Sequence, residues 1–135
     1  MKTIQVNSPE NIIESWADFF NSGNVQEILD LYHNSSVLLP TFLPGILSAK
    51  DQIKDYFVRA IKGNVRVEID QNQTLVKEIS KNNYVLSGSY VFIINKENDI
   101  KYNSRFTFLV NMESKSPIKH HHSSRVPFEL ALSSL

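Results

Sequence analysis

The residues best equipped for chemistry cluster near the end of the chain, in Ile118-Lys119-His120-His121-His122-Ser123-Ser124. This run gathers three of the four histidines and is closed by Arg125-Val126-Pro127. A histidine can serve as a general base or as a neutral hydrogen-bond donor near pH 7. Strand alternation would put His120 and His122 on one face and His121 and Ser123 on the other. Three readings stand side by side: part of a metal site, a pocket base or donor, and rings that pack and bond to backbone. The metal reading is the weakest, because no acidic or histidine partner is identifiable and His33 lies far away in the chain. A purification tag does not fit a short run inside a strand-like segment.

The second candidate is Arg105, in Tyr102-Asn103-Ser104-Arg105-Phe106-Thr107-Phe108. Asn103, Arg105 and Thr107 share one face of a strand, while Tyr102, Phe106, Phe108 and Val110 share the other. An arginine in mid-strand either reaches water or needs a partner. It is read either as a solvated arginine on a wet face or as a guanidinium at a pocket floor, suited to a carboxylate by its fork geometry. Tyr90, in the strand-like run Tyr84–Ile94, could aim a hydroxyl inward, and Trp16 and Tyr32 could touch a ligand as well as pack. No Gly-x-Ser-x-Gly elbow, His-Glu-x-x-His, paired carboxylates or phosphate-cradling glycine loop is present in a chain with four glycines.

These side chains need a scaffold. Ser8-Pro9-Glu10 reads as a helix start, with serine as N-cap and proline in the first turn. Ile12, Ile13, Trp16, Phe19 and Phe20 then form one helical stripe. Gly23 stops that helix, and Asn24 caps a shorter one whose face is Val25, Ile28, Leu29 and Tyr32. Ser35–Leu39 reads as a strand stopped by Pro40, and the apolar loop Thr41–Leu47 is expected to fold over something. A third helix is expected from Ser48, with Asp51 completing a weak capping box and Ile53, Tyr56, Phe57, Ala60 and Ile61 facing inward. From Val65 the period becomes two, with a bend or bulge expected at 71–73 and at Gly88. A turn at 80–83 and a polar hairpin tip at 95–99 separate further strands. The predicted order is helix, helix, strand, helix and four strands, hence α+β with a mostly antiparallel sheet.

The 135 residues fit one domain, 1–135, with 41% hydrophobic and 21% charged residues. Without cysteine there are no disulfides or thiolate metal sites, which suits a reducing cytoplasm. Fourteen basic and 14 acidic residues give zero formal net charge, unlike a nucleic-acid-binding surface and compatible with self-association. Met1–Pro9 lacks an apolar core of signal-peptide length, and no segment approaches the ~20 apolar residues of a membrane span.

In order and spacing, several segments together resemble the nuclear transport factor 2-like superfamily. They are Trp16 with Phe19-Phe20, Gly23-Asn24 with Leu31-Tyr32, Val37-Leu38-Leu39-Pro40-Thr41, and Gly45 with Ile53-Lys54-Asp55-Tyr56-Phe57. Ser87-Gly88-Ser89-Tyr90, Arg105-Phe106-Thr107-Phe108 and His120-His121-His122-Ser123-Ser124 with Pro127 complete the set. Within that superfamily the chain resembles the association (hub) domain of calcium/calmodulin-dependent protein kinase II, and small stand-alone bacterial SnoaL-like and SgcJ/EcaC-type proteins. The resemblance implies a cone-shaped fold or barrel, three N-terminal helices packed in a curved sheet, and no kinase activity of its own.

It further implies homodimers or higher oligomers and a deep pocket for a small polar or carboxylate ligand, or a hydrophobic one. Of the hub's pocket arginines only Arg105 is retained; Tyr90 and Ser123 stand at the other positions and Ile53 at the histidine position. His121 beside Arg105 is then the expected polar pair, with Ser123, Tyr90, Thr107, Tyr56 and Trp16 around it, and neither metal nor cofactor. Phe106, Phe108 and Val110 are expected to be buried against a second copy. The alternative is a SnoaL-like isomerase, cyclase or hydratase with His121 as base.

Overall fold

The computed structural model describes residues 8–95 and 97–127. Its elements are α1 (Pro9–Asn21), α2 (Val25–Leu31), β1 (Tyr32–Leu39), α3 (Lys50–Lys62), β2 (Val65–Ser80), β3 (Asn83–Asn95), β4 (Asp99–Asn111) and β5 (Ile118–Arg125). This is the order expected from the sequence. The five strands form one sheet in the order β1-β5-β4-β3-β2, with β1 and β5 parallel and every other neighbour antiparallel. The sheet has two edges and is open, so the expected barrel does not close. Among the described residues, no helix is long and apolar enough to cross a membrane.

The helix ends follow local chemistry with two departures. Asn24 caps α2 by accepting the Glu27 N–H at 3.2 Å, and Gly23 takes φ +75° at the preceding turn, both as the sequence suggests. Ser8 occupies the N-cap of α1 but its hydroxyl makes no capping bond. The third helix starts at Lys50, and Gln52 Oε1, rather than Asp51, accepts the N–H groups of Ser48 and Ala49 at 3.1 Å. Tyr32, expected on the α2 stripe, is the first residue of β1 and fully buried.

The helices cover one face of the sheet and Trp16 is the hub of the contact. Its ring lies 5.5–6.5 Å, centroid to centroid, from those of Phe20, Phe57, Tyr90, Phe92, Phe108 and His121. Phe106, Phe108 and Val110 join this core at 2%, 0% and 0% exposure. They are therefore buried within the chain itself, contrary to the expectation of a partner subunit. The cluster of buried aromatic and aliphatic side chains to which they belong outweighs any pairing that would turn them outward.

Both edge strands are engaged. Asn21, at the end of α1, donates to the Val67 carbonyl and accepts the Val67 N–H, each at 2.8 Å. On β1, Leu38 exchanges two 2.8 Å bonds with Leu47 of the apolar loop. The same loop places Phe42 edge-on against Phe92 and Tyr102. The sheet's main irregularity is in β2, where register is lost between Asp70 and Leu75 opposite Gly88 of β3. Gly88 itself stays in register with Phe106 of β4, so the bulge belongs to its neighbour. A Cβ at Gly88 would meet the Phe106 ring at 2.6 Å and the Gln73 carbonyl at 2.9 Å, so only glycine admits this packing.

Candidate functional site

Alternation along β5 divides the histidine run as the sequence suggests. His121 and Ser123 point to the helices at 2% and 5% exposure, while His122 is exposed on the outer face. His121 is set by its strand neighbours, opposite Phe108 of β4 and Leu38 of β1. Its ring stacks on Phe108 with centroids 3.8 Å apart and 18° between planes.

A chain of hydrogen bonds runs through this imidazole, and its polarity follows from the groups at its two ends. Trp16 Nε1–H can only donate, and it donates to the Tyr32 hydroxyl at 3.1 Å. At the far end the Tyr90 hydroxyl donates to Ser123 Oγ and so takes its proton from the ring, which for a neutral imidazole leaves Nδ1 to accept from Tyr32, 2.8 Å away. That assigns the remaining ring proton to Nε2, which donates to the Tyr90 hydroxyl at 3.1 Å. Tyr90 donates in turn to Ser123 Oγ, and Ser123 bonds to Thr41 Oγ1. Each hydroxyl of this network is thus satisfied with His121 neutral.

The electrostatics agree with that assignment. Burial, and to a lesser degree His120 and His122, holds the His121 imidazole well below the ordinary histidine value. Burial likewise pushes the Tyr32 and Tyr90 hydroxyls up and raises Tyr56 to about 12. A neutral imidazole between two neutral phenols can pass a proton along a wire, but both of its nitrogens are already bonded within the protein.

Space decides what this network can reach. The cavity beside Trp16, Tyr56, Tyr90, His121 and Ser123 measures about 10 Å³. A single water needs roughly 10–15 Å³ of such space. The expected deep pocket is therefore filled by its own aromatic lining in this structure. Of the candidate site residues, Trp16, Tyr56, Tyr90, His121 and Ser123 line this point together.

Arg105 and Thr107 do not join them. Arg105 lies opposite Ser124, and Thr107 opposite His122, on the outer face of the sheet. The expected pairing of His121 with Arg105 is overturned: the two side chains project from opposite faces. Tyr32 and Thr41 are the network members outside the set of site residues chosen from the sequence. Tyr32 carried an aromatic signal, whereas Thr41 is an ordinary loop residue with no local mark. Among the described residues, no cluster of three metal-ligating side chains occurs.

Comparison with known proteins agrees with this architecture. A protein of Xanthomonas campestris, described as a calcium/calmodulin dependent protein kinase II association domain, superposes with TM-score 0.80 at 24% identity, over 93% of this chain and 90% of that one. A ketosteroid isomerase-like protein of Erwinia carotovora superposes with TM-score 0.70 at 13% identity, over 88% and 94%. The benzoate 1,2-dioxygenase beta subunit of Burkholderia mallei gives 0.72 at 12% identity, over 93% of each chain. These likenesses show the α+β cystatin-like, nuclear transport factor 2-like fold. No curated protein matches the sequence. The family profile of the calcium/calmodulin dependent protein kinase II association domain spans residues 9–127, nearly all of the described chain, and the protein belongs to that family.

Proposed function

We propose that this chain is a self-associating module that pairs with a second copy through the outer face of its sheet. The observation that carries this reading is the contrast between a filled interior and an incompletely covered outer face. Inside, about 10 Å³ of space remains. Outside, Val37, Leu39, Val85, Val91 and Leu109 are only partly covered, and Leu75 is 74% exposed. Val85, Leu109, His120 and Val37 lie side by side across four strands, giving a row, apolar but for His120, that a twofold-related copy could cover. Membership in an association-domain family supports the same reading. Sedimentation equilibrium at tens of micromolar should give a dimer or larger assembly. Leu109→Glu should dissociate it without changing the circular dichroism, and a strict monomer for the unaltered protein would overturn the proposal.

A second reading keeps His121 as the base of a small enzyme. It is favoured by the neutral imidazole held between two tyrosine hydroxyls, which is suitable equipment for proton transfer. It requires the interior to open and Nδ1 or Nε2 to be released. Isomerisation of a small unsaturated ketone that is lost in His121→Ala would support it, and turnover unaffected by that change would remove His121 from the role.

A further inference from the structure

An apolar recess lies on the helix side of the sheet, at the end of α3. Tyr56, Ala60 and the C-cap Gly63 follow one another along that helix, and the last two are too small to fill the space beside them. Leu43 and Phe42 of the apolar loop close one side, and Val65 of β2 with its partner Ile94 of β3 closes another. Phe42 is held edge-on to Phe92 and Tyr102, at 5.3 and 5.4 Å between centroids, so it does not collapse onto Ala60. The space left measures about 330 Å³.

Its position separates it from the pairing face and from the filled interior. Val65 and Ile94 are two residues along from Val67 and Phe92, which are buried under the helices, so all four share the inner face. The row of Val85, Leu109, His120 and Val37 lies on the opposite face. Tyr56 also lines the small space beside His121, so its ring stands between that interior and the recess.

The charge of the lining is one-sided. Arg59 is its single charged residue, and no carboxylate lines the recess. Among the described residues the guanidinium pairs with Asp55, 3.8 Å away and one turn back, with side chains 62% and 67% exposed. A surface pair of that kind contributes little and exchanges readily for a competing anion. Apolar walls with one cation at the mouth are matched by an apolar body carrying one negative charge. The planar guanidinium fork fits a carboxylate best.

We propose that this recess binds a medium-chain fatty acid, with the alkyl chain against Phe42, Ala60, Val65 and Ile94 and the carboxylate on Arg59. The volume stands at the lower end of the roughly 300–1,000 Å³ typical of small-molecule pockets, which favours a medium chain over a long one. The site is complete on a single copy, on the face that pairing leaves open, and does not rest on self-association.

The test is calorimetric titration of the purified protein with butanoate, hexanoate, octanoate and the uncharged octanol at fixed ionic strength. Octanoate should saturate one site per chain, and the acids should tighten by roughly two- to fourfold per added methylene. Arg59→Gln should weaken octanoate about threefold and leave octanol unchanged. Ala60→Phe fills the recess and should abolish binding of both with the circular dichroism unaltered. Lys54→Gln removes an exposed charge from the same helix outside the recess and should change nothing. Absence of saturation, a flat chain-length series, or equal weakening by Arg59→Gln and Lys54→Gln would overturn the inference. Leu109→Glu should bind octanoate as the parent does, and loss of binding there would put the site on the pairing face and overturn its location. A monomeric parent that still binds octanoate rejects self-association alone, whereas an oligomer that does not bind it rejects this site alone.

Discussion

His121 and His122 are consecutive residues of one strand, yet they live in different solvents. His121 is stacked on Phe108, bonded through both nitrogens and shut away from water. His122 lies exposed beside Thr107 on the outer face of the sheet. The same side chain is structural polar core on one face and solvated surface on the other. What separates them is the period of two in a strand, together with the helices that cover one side only.

Stability should break this symmetry most visibly. His121→Ala removes a stacked ring and leaves the Tyr32 and Tyr90 hydroxyls without a partner, and should cost about 2–4 kcal/mol. His122→Ala, exposed, should stay within about 0.5 kcal/mol. Equilibrium urea unfolding of the two variants beside the parent measures both, and equal losses would contradict the burial contrast.

Acid should sharpen the same comparison. In the unfolded chain His121 titrates near its ordinary value of 6.5, whereas in the folded protein its value is well below that. The native state is therefore at full strength above about pH 6.5 and weakens as the pH falls, until the folded value is passed. Each pH unit in that window removes up to about 1.4 kcal/mol. Unfolding followed from pH 7 to 5 should show this slope in His122→Ala and lose it in His121→Gln.

A smaller effect probes the proton direction of the wire. Tyr32→Phe deletes the hydroxyl that accepts from Trp16 and donates to His121 Nδ1, leaving two buried polar groups without partners. The expected loss is about 1–2 kcal/mol. A neutral result would mean that water or rearrangement replaces that hydroxyl.

Much of this architecture can be read from local signals. Ser8-Pro9-Glu10, Gly23-Asn24 and the polar run at 95–99 mark element ends, and the change from helical to alternating spacing at Val65 marks where the sheet takes over. Tyr32 was ambiguous because a helical stripe and an inward strand position both require a buried aromatic there. Alternation also separated His121 and Ser123 from His120 and His122 correctly.

Arg105 was harder, for two physical reasons. Its face is fixed by the burial of Phe106, Phe108 and Val110 in the chain's own core, which a reading that reserves those residues for a partner inverts. Its neighbours are then fixed by the register of β4 with β5, which shifts between Leu109 and Val110. Register of this kind arises from long-range pairing and a bulge, and neither strand announces it alone. The filled cavity was equally hidden, because packing density depends on how rings from α1, α3, β3 and β5 meet.

One feature of the sheet's margins reaches beyond the single chain. An outermost strand normally offers a ladder of unsatisfied amides on which another chain can extend the sheet. Here the Asn21 carboxamide occupies the amide and carbonyl of Val67, the Leu47 backbone occupies those of Leu38, and the break at 71–74 kinks the 16-residue β2 out of straight register. Lateral growth into a fibre is thereby obstructed at both margins, which biases any contact between copies toward the finite, face-to-face kind.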